Sequence, residues 1–216
     1  MKTTILSITI ILSALIGRSQ SKEFVSAMGE ALSQYSTCKT IDDFQALGNR
    51  FGLIANAEKS EWLPLYYHAH CYILMSFMEP NDAAKKDSYL DEAEKSITKM
   101  IELAPRESEV YALQSLLYSA RLIVNPMERG QKYGVLSAQA VGMALGMDAN
   151  NPRAKFIKLR NDMGSAQFFG KDPKEFCPQA NELLADWDTY KVKSPIYPGW
   201  GKDQVVQIVE GCKTGK

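Results

Sequence analysis

Apolar residues recur along this chain at steps of three and four, the period of a helix with one buried face. Phe24, Ala27, Met28, Ala31, Leu32 and Tyr35 set out a first helix, and Phe44, Leu47, Phe51 and Ile54 a second. The second is entered through Thr40, with Asp42 and Asp43 in the first turn, where a cap and negative charge favour a start. Trp62, Leu65, Ala69, Tyr72, Ile73 and Phe77 predict a third, with Pro64 tolerated in its first turn because the missing donor would be unpaired there anyway. A fourth carries Leu90, Ala93, Ile97, Met100 and Ile101, runs from about Ser88 to Leu103, and is stopped by Pro105. Ser108 is the expected cap of a fifth, bearing Val110, Tyr111, Leu113, Leu117, Tyr118 and Ile123 and ended by Asn125 and Pro126. Met127 to Gly134, MERGQKYG, reads as a loop ahead of a helix from Val135 to Met147. Further helices begin at Pro152 and Pro173, the latter running to about Tyr190, and a last one begins at Asp203. Between them Ser194 to Gly201, SPIYPGWG, holds too many Pro and Gly residues for regular structure. No useful length alternates like an amphipathic strand, so the pattern is all-α.

One signature repeats within this pattern. Ala93, Ile97 and Met100 have the same spacing as Ser137, Val141 and Ala144 and as Ala180, Leu184 and Trp187, with a degenerate copy at Leu47, Phe51 and Ile54; the starts lie 46, 44 and 43 residues apart. A near-constant period of this size belongs to stacked helical hairpins, each with an apolar face that only its neighbours cover. In such a stack every link from first to second helix emerges at one edge. The links 79–86, 125–133 and 168–172 are therefore expected as neighbours, serving as braces or as a recognition rim, with Phe168 and Phe169 more naturally a brace because paired rings are seldom left in water.

The units resemble tetratricopeptide repeats. Trp62 and Leu65 match the start of that family's first helix, with Tyr66 and Ala69 in place of its Gly and Tyr, and Tyr111, Ser115 and Tyr118 fall on the Trp, Gly and Tyr positions of the next unit. Ala93, Ile97, Met100 and Pro105 match the second helix and its terminal Pro; Ser137, Val141 and Ala144 continue it, with Ala149 at the Pro position. The resemblance spans most of residues 41–190 and implies about four antiparallel hairpins plus a C-terminal capping helix. Each unit exceeds the family's 34 residues by about ten, and the period alone also suits HEAT-type pairs. The chain is also similar to a group of exported Gram-negative repeat proteins with the same EWLP opening and RGQKYG segment, a likeness that implies a periplasmic address and no activity.

The N-terminus fits export. Lys2 is followed by twelve apolar-rich residues, Ile5 to Ile16, and a small polar stretch to Ser21. That run is too short for a hydrocarbon core of about 30 Å, so residues 1–21 are read as a signal peptide and 22–216 as one helical-repeat domain. Its removal takes Lys2 and Arg18 and leaves 23 basic and 25 acidic residues, a formal charge of −2. Such a balance offers no electrostatic footprint for nucleic acid or anionic membrane. Four cysteines, Cys38, Cys71, Cys177 and Cys212, permit two disulfides in three connectivities or a reduced state. Cys177 with Cys212 is the expected pair because both flank the final helices, and Cys71 reads as a buried small hydrophobe.

Candidate chemistry is sparse. His68, His70 and Cys71 spell HAHC, but residues two apart on a helix point to different faces, and no second His or Cys pair completes a zinc set. The acid pairs Asp42–Asp43 and Asp91–Glu92 sit at helix starts or exposed faces, where they act structurally. No Ser, His and Asp set and no phosphate loop is present, so no catalytic residue, metal or cofactor is assigned. The expected function is a protein- or peptide-binding scaffold of undetermined oligomeric state, using Tyr67 and His70 on the concave side, Arg129, Lys132 and Tyr133 on the loop edge, and Arg121 and Arg160 as further cations. The alternatives are a metal protein or enzyme centred on His68, His70 and Cys71, or a structural subunit of an envelope assembly.

Overall fold

The structure, a computed structural model, describes residues 20–214; the expected leader, apart from its last two residues, lies outside them. Among the described residues are nine α-helices and no strand: α1 Lys22–Tyr35, α2 Ile41–Ala57, α3 Leu63–Met78, α4 Ala83–Leu103, α5 Ser108–Val124, α6 Pro126–Met147, α7 Pro152–Phe168, α8 Cys177–Asp186 and α9 Lys202–Thr214. Helices α1 to α8 pack as successive antiparallel hairpins, and α9 lies on α8. The repeating signature falls on the second helices: Leu47 and Phe51 of α2, Ala93, Ile97 and Met100 of α4, Ser137, Val141 and Ala144 of α6, and Ala180 of α8 are all buried. Small residues at these steps let the helices approach, and the larger ones fill the groove between them.

Local chemistry sets the boundaries. Thr40 and Asp43 form a capping box on α2, with the Asp43 carboxylate accepting from the Lys39 and Thr40 amides at 2.9 Å each. Asp82 caps α4 by accepting from the Lys85 amide, so that helix begins at Ala83 rather than near Ser88. The expected loop at MERGQKYG is helical. Asn125 leaves helical geometry, accepts from the Glu128 amide and is followed at once by Pro126, which restarts the chain as α6 with a one-residue link. Gly130 and Gly134, each a loss of about 1 kcal/mol against Ala, are carried inside that helix. Most of the extra length per unit is therefore helix, and the expected rim of long links does not form. Ser108 is not a cap either; its hydroxyl donates to the Ala144 carbonyl and accepts from Asn151, whose own oxygen caps α7.

Phe168 and Phe169 are not a brace. They are 55% and 72% exposed, edge to face at 5.3 Å. Helix α7 has its last buried residue at Ala166, and the ring pair follows it.

Two polar knots join the hairpins. Ser115 and Ser137 donate to each other's carbonyls at 2.9 and 3.0 Å, and Ser119 and Asn161 complete a cluster across α5, α6 and α7. The second is deeper: Arg153 at the start of α7 binds Glu109 at the start of α5, and the Tyr66 hydroxyl of α3, which itself accepts from the Trp200 indole N–H, also points at Glu109. Burial pushes the Glu109 carboxyl upward, and the guanidinium opposes it.

The C-terminal part closes on the first helices. Cys177 and Cys212 form a disulfide that ties α8 to α9 with the Cα atoms 5.9 Å apart. The irregular segment 190–201 crosses to α3, where Ile196 accepts from the Tyr67 hydroxyl and Tyr197 lies edge-on to Trp62 and donates to Glu107. It ends at Gly201, with φ +113°, where a Cβ would come within 2.7 Å of the Trp187 ring.

Candidate functional site

The residues expected to face a partner divide into three environments. Tyr67 and His70 are buried, because the segment 190–201 occupies the face of α3 on which they stand. They do not line an open groove, which corrects the concave-face reading. Arg121 is also buried and is held by Asp87, Asp91 and Glu94; Arg129 makes a fork of two 2.7 Å bonds to Asp87. Lys132 lies over the Tyr133 ring at 5.0 Å, and Tyr133 packs on Tyr118. With Asp91 and Glu128, these groups border a surface cavity of about 450 Å³ in which cations already answer carboxylates. That edge braces α4 to α5 and α6. Arg160 alone stands elsewhere, exposed on α7.

The HAHC residues diverge. His68 Nδ1 bonds Ser96 of α4 at 2.9 Å, and its ring lies against Tyr72; Cys71 packs toward Gly48 of α2. Among the described residues no three His, Cys, Asp or Glu side chains are grouped to hold a metal ion. Burial pushes the Cys71 thiol up, which removes its thiolate.

His70 instead belongs to a column of rings drawn from four parts of the chain. Tyr35 of α1 lies nearly parallel to it at 5.8 Å, Trp200 stacks on it at 4.4 Å, and Phe156 of α7 meets Trp200 edge-on at 6.2 Å. The Arg160 guanidinium completes the series, 5.8 Å from the Phe156 centroid. Burial lowers the His70 pKa to about 3 and raises that of Tyr35, so the imidazole is neutral and the phenol protonated at ordinary pH. Tyr35 therefore donates to Nδ1 across 2.5 Å, which leaves the ring proton on Nε2. Neither His70 nitrogen is then free as a metal ligand. Trp200 is half-buried and presents the column to the surface.

The helix periodicity carries no information about this column. Tyr35, Phe156 and Trp200 are meeting points of distant segments. The readable signal was the crowding of Tyr197 and Trp200 in an irregular stretch, since such a stretch with large rings must pack on something.

Together these features define an all-α protein of stacked hairpins with an aromatic column and an exposed arginine beside it. Among solved structures the chain is similar to the HusA haemophore from Porphyromonas gingivalis, with 30% identity and a TM-score of 0.77 over 92% of this chain and 96% of that one. It belongs to the family of that haemophore. No protein-family model and no curated protein matches the chain. No helix among the described residues is long and apolar enough to cross a membrane.

Proposed function

We propose that this protein is a non-catalytic carrier that binds haem, or a porphyrin of the same shape, at the mouth of the aromatic column beside Trp200. The observation that carries this reading is the run of rings in contact, Tyr35, His70, Trp200 and Phe156, ending on the exposed Arg160. A half-exposed indole held rigid from behind offers a flat apolar surface at little entropic cost, and a planar conjugated ligand is its natural complement. Kinship with a haemophore supports haem as that ligand. The protein contributes ring contact and a positive edge; it does not offer an imidazole to the iron, because both histidines are engaged elsewhere. Export across the inner membrane, with residues 1–21 as leader and 22–216 as one domain, accords with the disulfide and with a carrier working in the periplasm or beyond.

The test is titration of the purified chain with haem and with metal-free protoporphyrin, followed by the Soret band and by tryptophan emission. Saturable one-to-one binding of both is expected. Binding of haem alone would point to iron ligation and overturn the ring-contact reading, and binding of neither would overturn the carrier.

A protein partner is the second reading, favoured by the exposed Phe168 and Phe169 pair. Replacing both with Ser should then abolish recovery of one partner from periplasmic extract while leaving porphyrin titration unchanged.

A further inference from the structure

We propose that Arg160 anchors a carboxylate on the edge of the bound ligand, so that the site selects porphyrins bearing free acid side chains; this rests on the porphyrin reading above. Six arginines lie among the described residues. Arg50, Arg121, Arg129 and Arg153 each meet a carboxylate. Arg106 is exposed. Arg160 differs from both groups. It has no carboxylate partner among the described residues, yet its guanidinium lies against Phe156 and loses enough water for its pKa to fall, with desolvation the only cause.

A cation held partly out of water without a counter-charge is an unfavourable arrangement for the free protein. The cation–π contact with Phe156 offsets some of that cost and fixes the direction of the head group. A carboxylate arriving from outside would find a donor fork already oriented by the Phe156 contact, with no acid partner among the described residues to displace, the planar geometry that suits bidentate Arg–carboxylate recognition. Placement makes the assignment specific. Phe156 is itself buried, and the Trp200 indole and the Arg160 guanidinium flank it at 6.2 Å and 5.8 Å from its centroid. A flat macrocycle lying on the indole would bring an acid arm on its rim toward the guanidinium, a span that a flexible carboxylate chain accommodates.

The experiment compares mesoporphyrin with its dimethyl ester on the full mature chain, using wild type, Arg160→Gln and Arg160→Lys. For the diacid, Arg160→Gln should weaken binding by about tenfold or more, the worth of one hydrogen bond to a charged group. For the ester, wild type and Arg160→Gln should bind alike, and Arg160→Lys should recover part of the diacid affinity. Equal weakening of diacid and ester by Arg160→Gln, or no change for either, would overturn the anchor while leaving the carrier reading intact. If wild type binds neither probe, the carrier reading fails and the anchor with it. Arg160 is exposed, so unchanged far-ultraviolet circular dichroism is expected of both variants.

Discussion

The Arg153 guanidinium and the Glu109 carboxylate face each other through two bonds of 2.7 and 2.6 Å, and neither side chain is more than 1% exposed. The pair joins the first turns of α5 and α7, which are separated in sequence by the whole of α6. Its neighbours are rings: Tyr66 on one side and Tyr190 on the other, the latter 5.1 Å from the guanidinium.

A buried charge left without its partner is far more costly than the intact pair is stabilising. Glu109→Leu and Arg153→Met should each lose about 3–5 kcal/mol. The double change Glu109→Leu with Arg153→Met should lose much less than the sum. Urea unfolding of the three variants measures this, and additive losses would contradict the pairing as the dominant interaction.

Gly201 is constrained twice, by φ +113° and by the Trp187 ring 2.7 Å from any Cβ. Gly201→Ala should destabilise by about 1–3 kcal/mol through backbone strain and displacement of the indole. Gly142, in the middle of α6 with nothing within 4 Å of an added Cβ, is the contrast. Gly142→Ala should stabilise by about 0.4–1 kcal/mol, because the helix already supplies a compatible conformation. Thermal melts of the two variants should move in opposite directions.

How much of this was legible beforehand differs between fold and site. The stripe Ala93, Ile97, Met100 and its copies reported the second helices accurately, since burial on a helix leaves a three-four rhythm that needs no partner to be identified. Thr40 with Asp43 was readable for the same reason, both halves of the box lying within four residues. MERGQKYG reads as a loop from sequence because it holds two glycines and five polar or charged residues, and its packing against α5 is not encoded locally. The repeat pattern puts Tyr67 and His70 on an open face because it does not encode residues 190–201 folding back over α3. The column itself unites Tyr35, His70, Phe156 and Trp200 across 165 residues of sequence, and no local period encodes such a meeting. Arg160 was visible as a cation, but its lack of an acid partner was not.

The disulfide closes a loop with its ends 35 residues apart in sequence, and that loop contains the segment 190–201. In the chain-entropy model it contributes about 4 kcal/mol. Cys177→Ser with Cys212→Ser should lower the melting temperature and speed proteolysis between residues 190 and 201, because α9 no longer holds that segment from its far end. Porphyrin affinity should fall as well, since Trp200 depends on the same anchorage. Unchanged protease sensitivity in this region would show that Val205 and Val209, both buried, suffice to hold α9.

His70 gives stability a pH dependence whose sign is set by burial. Its folded pKa is about 3 and its ordinary value 6.5, so between those limits the unfolded chain binds a proton that the folded one refuses. Stability is full above pH 6.5 and is lost as pH falls toward 3, with a slope of up to about 1.4 kcal/mol per pH unit from this one group. The Asp43 carboxylate, depressed chiefly by the Lys39 backbone amide, adds a loss in the same direction at the acid end. His68, lowered by burial, contributes in the same window. His70→Gln removes the titration while leaving an acceptor for Tyr35. It should be less stable than wild type at pH 7.5 yet lose markedly less on going to pH 5, as read from urea midpoints at the two values. Parallel losses in the two proteins would mean that the ring is protonated in the folded state and that Tyr35 accepts rather than donates.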